Sequence, residues 1–259
     1  MWQDGWQAWR RGARALLPGL EPVIGHRGAA ARAPENTLVG LRKAHALGAR
    51  WVEFDVMLTA DGVPVLIHDE TLERTTDGRG EVARHTAAEI RSLDAGAWFA
   101  PGFAGEWVPT LAEAVDLLLA LGLSANVEVK PATGHAAATG EVVADHLRRH
   151  WPDDGPQLLL SSFERAALVS AAKAASNIPR GLLAEELPED WEAALGALGC
   201  ATLHLDHARI EPAEIRKLTE QGVPVLLYTI NEPARAHAMR AAGAAAIITD
   251  VPDLLLAAQ

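Results

Sequence analysis

Two acidic residues lie two positions apart in a segment that reads as a buried β-strand. In Glu53-Phe54-Asp55 the carboxylates are flanked by apolar residues from Trp51 to Val56. Successive side chains of a strand point to opposite faces, so Glu53 and Asp55 share one face. Buried like charges are costly unless a cation lies between them, and carboxylate oxygens suit a hard divalent ion. The pattern favours a metal site over a solvated strand face.

The same spacing recurs in Glu128-Val129-Lys130. Glu128 and Lys130 share a face, and the neighbouring Val127 and Val129 indicate a buried setting. Glu128 is then either a third metal ligand, beside a lysine that binds an anionic ligand, or one half of an internal salt bridge with Lys130. The spacing alone leaves both interpretations open.

Further polar residues stand where strand-like runs end. His26 and Arg27 follow the run Val23–Gly25. A histidine can move a proton near neutral pH, and an arginine can bind two oxygens of a phosphate or carboxylate at once. Tyr228 is the one tyrosine, and it lies near the end of the late run Val223–Thr229, where it either contacts a small substrate or packs inside the fold.

His68 is placed by the predicted hairpin around Asp61-Gly62, since Asp-Gly between two strand-like runs is a strong hairpin signal. If these two residues form the whole loop, Asp55 faces His68 across the hairpin. Residues that face each other have Cβ atoms about 4.5–5.5 Å apart. This register predicts that His68 lies beside the metal ligands, and a three-residue loop would shift it.

Strand-like runs alternate with helical patterns along the whole chain, which indicates a parallel sheet. Eight such units in 259 residues favour a closed (β/α)₈ barrel over an open doubly wound sheet. We expect one domain over residues 1–259, with a small insertion after the second strand. This insertion, about residues 70–108, would cover the barrel mouth and bring Trp98 to the substrate. Residues 1–20 are expected to form a short helix or an arm. The predicted runs are Val23–Gly25, Trp51–Leu58, Ala125–Val129, Gln157–Ser161, Gly181–Ala184, Ala201–Leu205, Val223–Thr229 and Ala245–Thr249.

Charge and composition exclude several classes of partner. The formal net charge is −11, so a nucleic-acid binder and a polybasic membrane anchor are disfavoured. No segment has the apolar core of a signal peptide or the length of a membrane span. The single cysteine, Cys200, rules out an internal disulfide framework. We expect a cytoplasmic protein.

Six motifs together, in order and spacing, resemble the glycerophosphodiester phosphodiesterase family. The resemblance runs from about residue 22 to residue 250, and the later segments look like the cytoplasmic bacterial ugp-type members. Two departures stand out: the loop after Gly28 continues Ala29-Ala30-Ala31, and Tyr228 stands where many members have tryptophan. The motifs are His26-Arg27-Gly28, Pro34-Glu35-Asn36-Thr37, Glu53-Phe54-Asp55, His68-Asp69, Glu73-Arg74-Thr75-Thr76-Asp77-Gly78 and Glu128-Val129-Lys130.

The resemblance implies a (β/α)₈ barrel that hydrolyses glycerophosphodiesters, such as glycerophosphocholine and glycerophosphoethanolamine, to an alcohol and sn-glycerol 3-phosphate. It implies one divalent cation, Mg²⁺ or Ca²⁺, and a general acid/base pair. Carried over by position, the roles are as follows: His26 and His68 catalytic; Glu53, Asp55 and Glu128 metal ligands; Arg27 and Lys130 phosphate contacts. Tyr228 and Trp98 are predicted substrate contacts.

Two other functions fit parts of the pattern. A lysophospholipase D or a phosphoinositide-cleaving phospholipase would need an apolar mouth, which the aromatic residues of the insertion (Trp98, Phe99 and Phe103) could supply. A non-catalytic barrel that binds a phosphate ligand would be expected to lack one of the histidines or carboxylates, and all five are present. The three carboxylates, Arg27 and Lys130 leave the pocket with one net negative charge. A divalent cation would make it positive.

Overall fold

The computed structural model describes residues 17–258, and a parallel barrel with helices between its strands forms their framework. The strands are β1 (Val23–Gly25), β2 (Trp51–Leu58), β3 (Pro64–Leu66), β4 (Ser124–Val129), β5 (Leu158–Ser162), β6 (Arg180–Ala184), β7 (Thr202–Asp206), β8 (Val225–Tyr228) and β9 (Ala246–Thr249). The helices are α1 (Leu38–Ala46), α2 (Ala87–Arg91), α3 (Leu111–Leu121), α4 (Ala136–His150), α5 (Arg165–Ala174), α6 (Trp191–Leu198), α7 (Pro212–Glu220), α8 (Pro233–Ala241) and α9 (Pro252–Ala257).

The sheet closes on itself through β1. This strand pairs in parallel with β2, where Ile24 faces Trp51, and with β9, where Ile24 faces Ile248. Eight strands form the closed parallel barrel, and β3 adds to β2 as an antiparallel edge. The predicted (β/α)₈ barrel is therefore confirmed, and the open sheet is excluded.

Local sequence signals set where the helices begin. Thr37 caps α1 by accepting a hydrogen bond from Gly40 N at 3.1 Å. At α3, Thr110 and Glu113 form a reciprocal capping box, which satisfies two backbone N–H groups that the first helical turn leaves free. These caps fix where α1 and α3 begin, after the segments that follow the carboxyl ends of β1 and β3, where the functional face of such a barrel lies.

The barrel interior is apolar below the functional face. Ile24, Trp51, Leu159, Leu226 and Ile248 form one buried cluster. Strand alternation puts Trp51 on the same face of β2 as Glu53 and Asp55. The carboxylates consequently lie directly above the apolar barrel interior. Two larger clusters fill the layer between strands and helices.

The hairpin between β2 and β3 differs from the prediction. Val56 faces Leu66, and Thr59 N donates to Val63 O, so Ala60, Asp61 and Gly62 form a three-residue loop. Gly62 has φ +76°, the left-handed conformation that such a loop uses at its last position. The predicted register, with Asp55 facing His68, is wrong by one residue.

Residues between β3 and α3 form no barrel unit. They contain two short 3₁₀ turns, Val82–Arg84 and Pro101–Phe103, and the helix α2. Their own apolar cluster includes Ile67, Leu72 and Ile90. That residues 70–108 cover the barrel mouth stays a prediction. Of the predicted arm or helix over residues 1–20, only residues 17–20 are described, and Leu17 packs into the interior cluster.

Candidate active site

A cavity of about 400 Å³ opens at the carboxyl ends of the barrel strands. Eight of the nine residues singled out from the sequence line it or belong to the carboxylate cluster at its floor. The lining residues are His26, Arg27, Glu53, His68, Asn126, Glu128, Lys130, Phe163, Leu183, Glu185, Tyr228, Thr229 and Ile248.

Three carboxylates meet at the floor of this cavity. One oxygen each from Glu53, Asp55 and Glu128 lie within 4.8 Å of one another, and all three residues are buried. The parallel pairing of β2 and β4 puts Asp55 directly opposite Glu128. Burial, then the charge of Asp55, raises the pKa of Glu128 to about 7 and that of Glu53 well above its ordinary value. Three buried carboxylates this close repel one another, and a divalent cation among them would relieve that repulsion, so the cluster fits a divalent metal.

Arg27 and Lys130 lie beside the carboxylates. Lys130 Nζ is 3.5 Å from Glu128 Oε1 and 4.0 Å from Asp55 Oδ1. Arg27 Nε is 3.3 Å from Asp55 Oδ2, and its Nη1 donates to Glu35 Oε1 at 2.6 Å. Both interpretations of Glu128 from the sequence are thus compatible with the structure, since it joins the acidic cluster and also contacts Lys130.

The turn after β1 has an unusual backbone that positions Arg27. Arg27 has φ +47°, a left-handed conformation that is strained for a residue with a side chain. Its N–H donates to Glu53 Oε2 at 3.0 Å, which holds the turn against β2. Gly28 follows with φ +88°, and a Cβ there would lie 2.6 Å from the carbonyl carbon of Gly40. Only glycine fits between this turn and α1.

Asn36 holds the central carboxylate in place. Its Nδ2 donates to Asp55 Oδ2 at 2.9 Å, and its Oδ1 accepts from Asp55 N at 3.1 Å. The residue belongs to a motif that the sequence analysis quotes, but its contact with Asp55 was not predicted. No local pattern indicates it, because 19 positions separate the two residues.

His26 is oriented by residues from the far end of the chain. Its Nδ1 donates to Asp250 Oδ1 at 2.6 Å, and Asn231 Nδ2 donates to Asp250 Oδ2 at 2.7 Å. Burial alone would raise the pKa of Asp250, but the hydrogen bond and charge of His26 outweigh it and lower that pKa. Nε2 of His26 lies 3.9 Å from Glu53 Oε2. Sequence reasoning missed Asp250 and Asn231.

His68 has a parallel arrangement. Its Nδ1 donates to Asp69 Oδ1 at 2.6 Å. Arg74 donates to both Asp69 and Glu35, and its hydrogen bond lowers the pKa of Asp69 strongly. Burial lowers the pKa of His68, partly offset by Asp55. His68 lines the cavity as predicted, although it does so beyond the end of β3 and not through the predicted pairing.

The two predicted substrate contacts lie in different places. Tyr228 lines the cavity, and its ring meets that of Phe163 edge-on with centroids 6.0 Å apart. Trp98 is 40% exposed, its indole N–H donates to Ala95 O, and it is not among the cavity-lining residues. A substrate contact by Trp98 stays a prediction.

Known proteins are similar to this chain in both sequence and fold. The Glycerophosphoryl diester phosphodiesterase family matches residues 26–254. The chain belongs to this family. A glycerophosphodiester phosphodiesterase from Caldanaerobacter subterraneus is 35% identical over 90% of this chain and 96% of its own length. Another from Bacillus subtilis is 30% identical, covering 92% of this chain and 86% of its own.

A solved relative gives the structural comparison. A phosphodiesterase from Oleispira antarctica, in complex with the product sn-glycerol-3-phosphate, has a TM-score of 0.91 and 38% identity. The match covers 94% of this chain and 98% of that one. As a glycerophosphodiester phosphodiesterase family member, this chain is an enzyme that hydrolyses glycerophosphodiesters. The predicted family, fold and enzyme class are confirmed, and placement among the ugp-type members stays a prediction.

Proposed function

We propose that this enzyme hydrolyses soluble glycerophosphodiesters to an alcohol and sn-glycerol 3-phosphate, with His26 and His68 as the acid/base pair. One observation carries the proposal: both rings line the cavity that holds the carboxylate cluster, and each donates its Nδ1 proton to an aspartate. An ionised carboxylate can only accept hydrogen bonds, so each neutral ring keeps its free lone pair at Nε2.

The two rings divide the proton transfers. One Nε2 accepts the proton of the attacking oxygen, and the other ring, protonated, donates to the leaving alcohol oxygen. Asp250 and Asp69 hold the rings in orientation and stabilise the imidazolium that forms. The attacking oxygen belongs to water or to the 2-hydroxyl of the substrate glycerol. When the 2-hydroxyl attacks, a cyclic phosphate forms, and water then opens it to sn-glycerol 3-phosphate while the two rings exchange roles.

Arg27 and Lys130 bind the phosphate in this scheme. Both lie beside the acidic floor, where their charges balance part of the three carboxylates. Their N–H groups are donors to the non-bridging phosphate oxygens as negative charge grows there.

Glu53, Asp55 and Glu128 would hold one divalent cation, Mg²⁺ or Ca²⁺, because oxygen-only ligand sets suit these ions. When bound, such an ion neutralises charge on phosphoryl oxygens as a Lewis acid. Asn36 and the N–H of Arg27 keep two of these carboxylates in position.

The test is release of sn-glycerol 3-phosphate from glycerophosphocholine and glycerophosphoethanolamine, with EDTA and with Mg²⁺ or Ca²⁺ added back. We expect release that EDTA abolishes and the metal restores. Following the reaction by ³¹P NMR distinguishes the routes, since attack by the 2-hydroxyl gives a cyclic phosphate. Failure to release product from any soluble diester would contradict the proposal.

A second candidate rests on the exposed aromatic side chains of the segment before α3. Trp98 and Trp107 are each 40% exposed, and an apolar surface of this kind suits a lysophospholipase D. Activity on lysolipid micelles without activity on soluble diesters would favour it. Within residues 17–258 no helix has both the length and the apolar character of a membrane span. A cytoplasmic location stays a prediction.

A further inference from the structure

One side of the cavity carries side chains that the proton transfers do not use. Phe163 follows β5, Glu185 follows β6, and Tyr228 ends β8, and all three line the cavity. We call these three residues the outer group. They face the same space as the catalytic residues, so a substrate bound for hydrolysis has one of its ends beside them.

The rings of the outer group are held in fixed positions. Tyr228 Oη donates to Ala184 O at 2.9 Å, and the ring of Phe163 stands at 82° to that of Tyr228. Phe163 is 39% exposed, so the part of its ring that Lys130 and Tyr228 leave uncovered is open to a ligand. Lys130 Nζ lies 5.9 Å from the centre of that ring. A group attached to a phosphate at Lys130 therefore reaches the aromatic pair.

The rim beside these rings is negative. Glu185, Glu186 and Asp206 surround a single cation, Arg209, whose nitrogens lie 3.6 Å from Glu185 and 3.8 Å from Asp206. This leaves two net negative charges. Burial, then the charges of Asp206, Glu128 and Glu185, raises the pKa of Tyr228.

We propose that Phe163, Tyr228 and Glu185 form a subsite for a cationic head group, so that the enzyme prefers diesters of choline or ethanolamine to diesters of uncharged alcohols. Aromatic ring faces attract ammonium groups, quaternary ones included, within about 6 Å. The carboxylate adds an attraction of opposite charge, which solvent screens but does not remove. An uncharged alcohol of the same shape receives neither. The proposal rests on the hydrolytic function proposed above.

The decisive comparison keeps the shape of the head group and removes its charge. Because the leaving alcohol also becomes less acidic, the subsite is judged from how the ratio of the two kcat/KM values changes in variants. Glycerophosphocholine and its 3,3-dimethylbutyl analogue have the same shape, because a carbon replaces the nitrogen. For the wild type we expect kcat/KM to be about tenfold higher for the choline diester, since two partly exposed contacts of about two- to fivefold each combine. Glu185→Gln should lower this ratio about threefold, and Phe163→Leu by a similar factor.

Two variants sharpen the test. Glu81→Gln is the matched control, because Glu81 is an exposed glutamate that pairs with an arginine, Arg84, and does not line the cavity, and the ratio should stay within about 1.5-fold of wild type. Arg209→Gln releases Glu185 from its ion pair and should raise the ratio. Both measurements are taken on Mg²⁺-loaded protein whose melting temperature matches that of the wild type.

The outcomes separate the two proposals. If neither diester is hydrolysed, the proposed function fails. If both are hydrolysed with equal kcat/KM, or if Glu185→Gln lowers both values equally, the hydrolytic function stands and the cationic subsite is wrong. A ratio that falls in Glu185→Gln and Phe163→Leu but not in Glu81→Gln establishes the subsite.

Discussion

Replacing Asp250 by asparagine tests whether the carboxylate sets the proton position on His26. Asn231 Nδ2 donates to Asp250 Oδ2 at 2.7 Å and would keep donating to the amide oxygen of the substituted residue. The new NH₂ group then points at His26 Nδ1, which must become an acceptor. The ring proton moves to Nε2, which then has no lone pair with which to act as a base. If His26 is instead the acid, it lacks the carboxylate that stabilises the imidazolium.

The size of the effect follows from the bond that is lost. A hydrogen bond to a charged group contributes about 1.5–3 kcal/mol, and about 1.4 kcal/mol of transition-state stabilisation is tenfold in rate. The His26–Asp250 bond is short, at 2.6 Å, and the side chains are only 18% and 24% exposed, so the full range applies. We expect Asp250→Asn to lower kcat by about 10- to 150-fold with little change in KM.

The assay is steady-state release of sn-glycerol 3-phosphate from glycerophosphocholine at saturating metal. Asp253→Asn serves as the control, because Asp253 pairs with Arg32 and does not line the cavity. It should retain the wild-type kcat, and both variants should fold as judged by thermal melting. A kcat for folded Asp250→Asn within twofold of the wild type would refute the positioning role.

Three other predictions use separate features. His26→Ala and His68→Ala should each lower kcat by about 10²- to 10⁴-fold, and a variant with near-normal kcat would remove that ring from the acid/base pair. In EDTA and between pH 4.5 and about 7, Glu128 is protonated more in the folded protein than in the unfolded protein. The stabilisation that this protonation gives the folded state is therefore lost as the pH rises through that window. Glu128→Gln should therefore flatten melting temperature against pH there, and an unchanged slope would contradict the raised pKa. Gly28→Ala should destabilise by about 2–4 kcal/mol in urea unfolding, against about 1 kcal/mol for the unobstructed Gly62→Ala, and equal losses would show that the contact at Gly28 costs nothing.

Strand alternation made the acidic floor predictable. Glu53 and Asp55 alternate with a buried phenylalanine, and that local pattern is enough to place both carboxylates on one face. The same reasoning placed Glu128 and Lys130 on a second strand. Alternation does not indicate which strands are neighbours in the sheet. The family motifs predicted that Glu128 joins Glu53 and Asp55, and the pairing of β2 with β4 brings them together.

The error at the hairpin has a local cause. Asp61-Gly62 signals a turn but does not fix its length, and both a two-residue and a three-residue loop accept glycine at the last position. Thr59 decides between them, because its hydroxyl accepts from Val63 N at 3.0 Å and its backbone closes the loop around Ala60. A side-chain hydrogen bond of this kind is hard to recognise from the sequence, yet the loop that it favours shifts every cross-strand partner by one residue.

The residues that orient His26 could not be found locally for a different reason. His26 and Asp250 are 224 positions apart and meet because β1 pairs with β9, where Gly25 faces Thr249. Closure thus places the residues just after two paired strands, one from each end of the chain, in contact. A change that weakens the β1–β9 pairing therefore disturbs the contact between His26 and Asp250. The contact between His68 and Asp69, which are adjacent in sequence, does not depend on closure of the barrel. Partial opening of the barrel would impair one acid/base group and leave the geometry of the other pair unchanged.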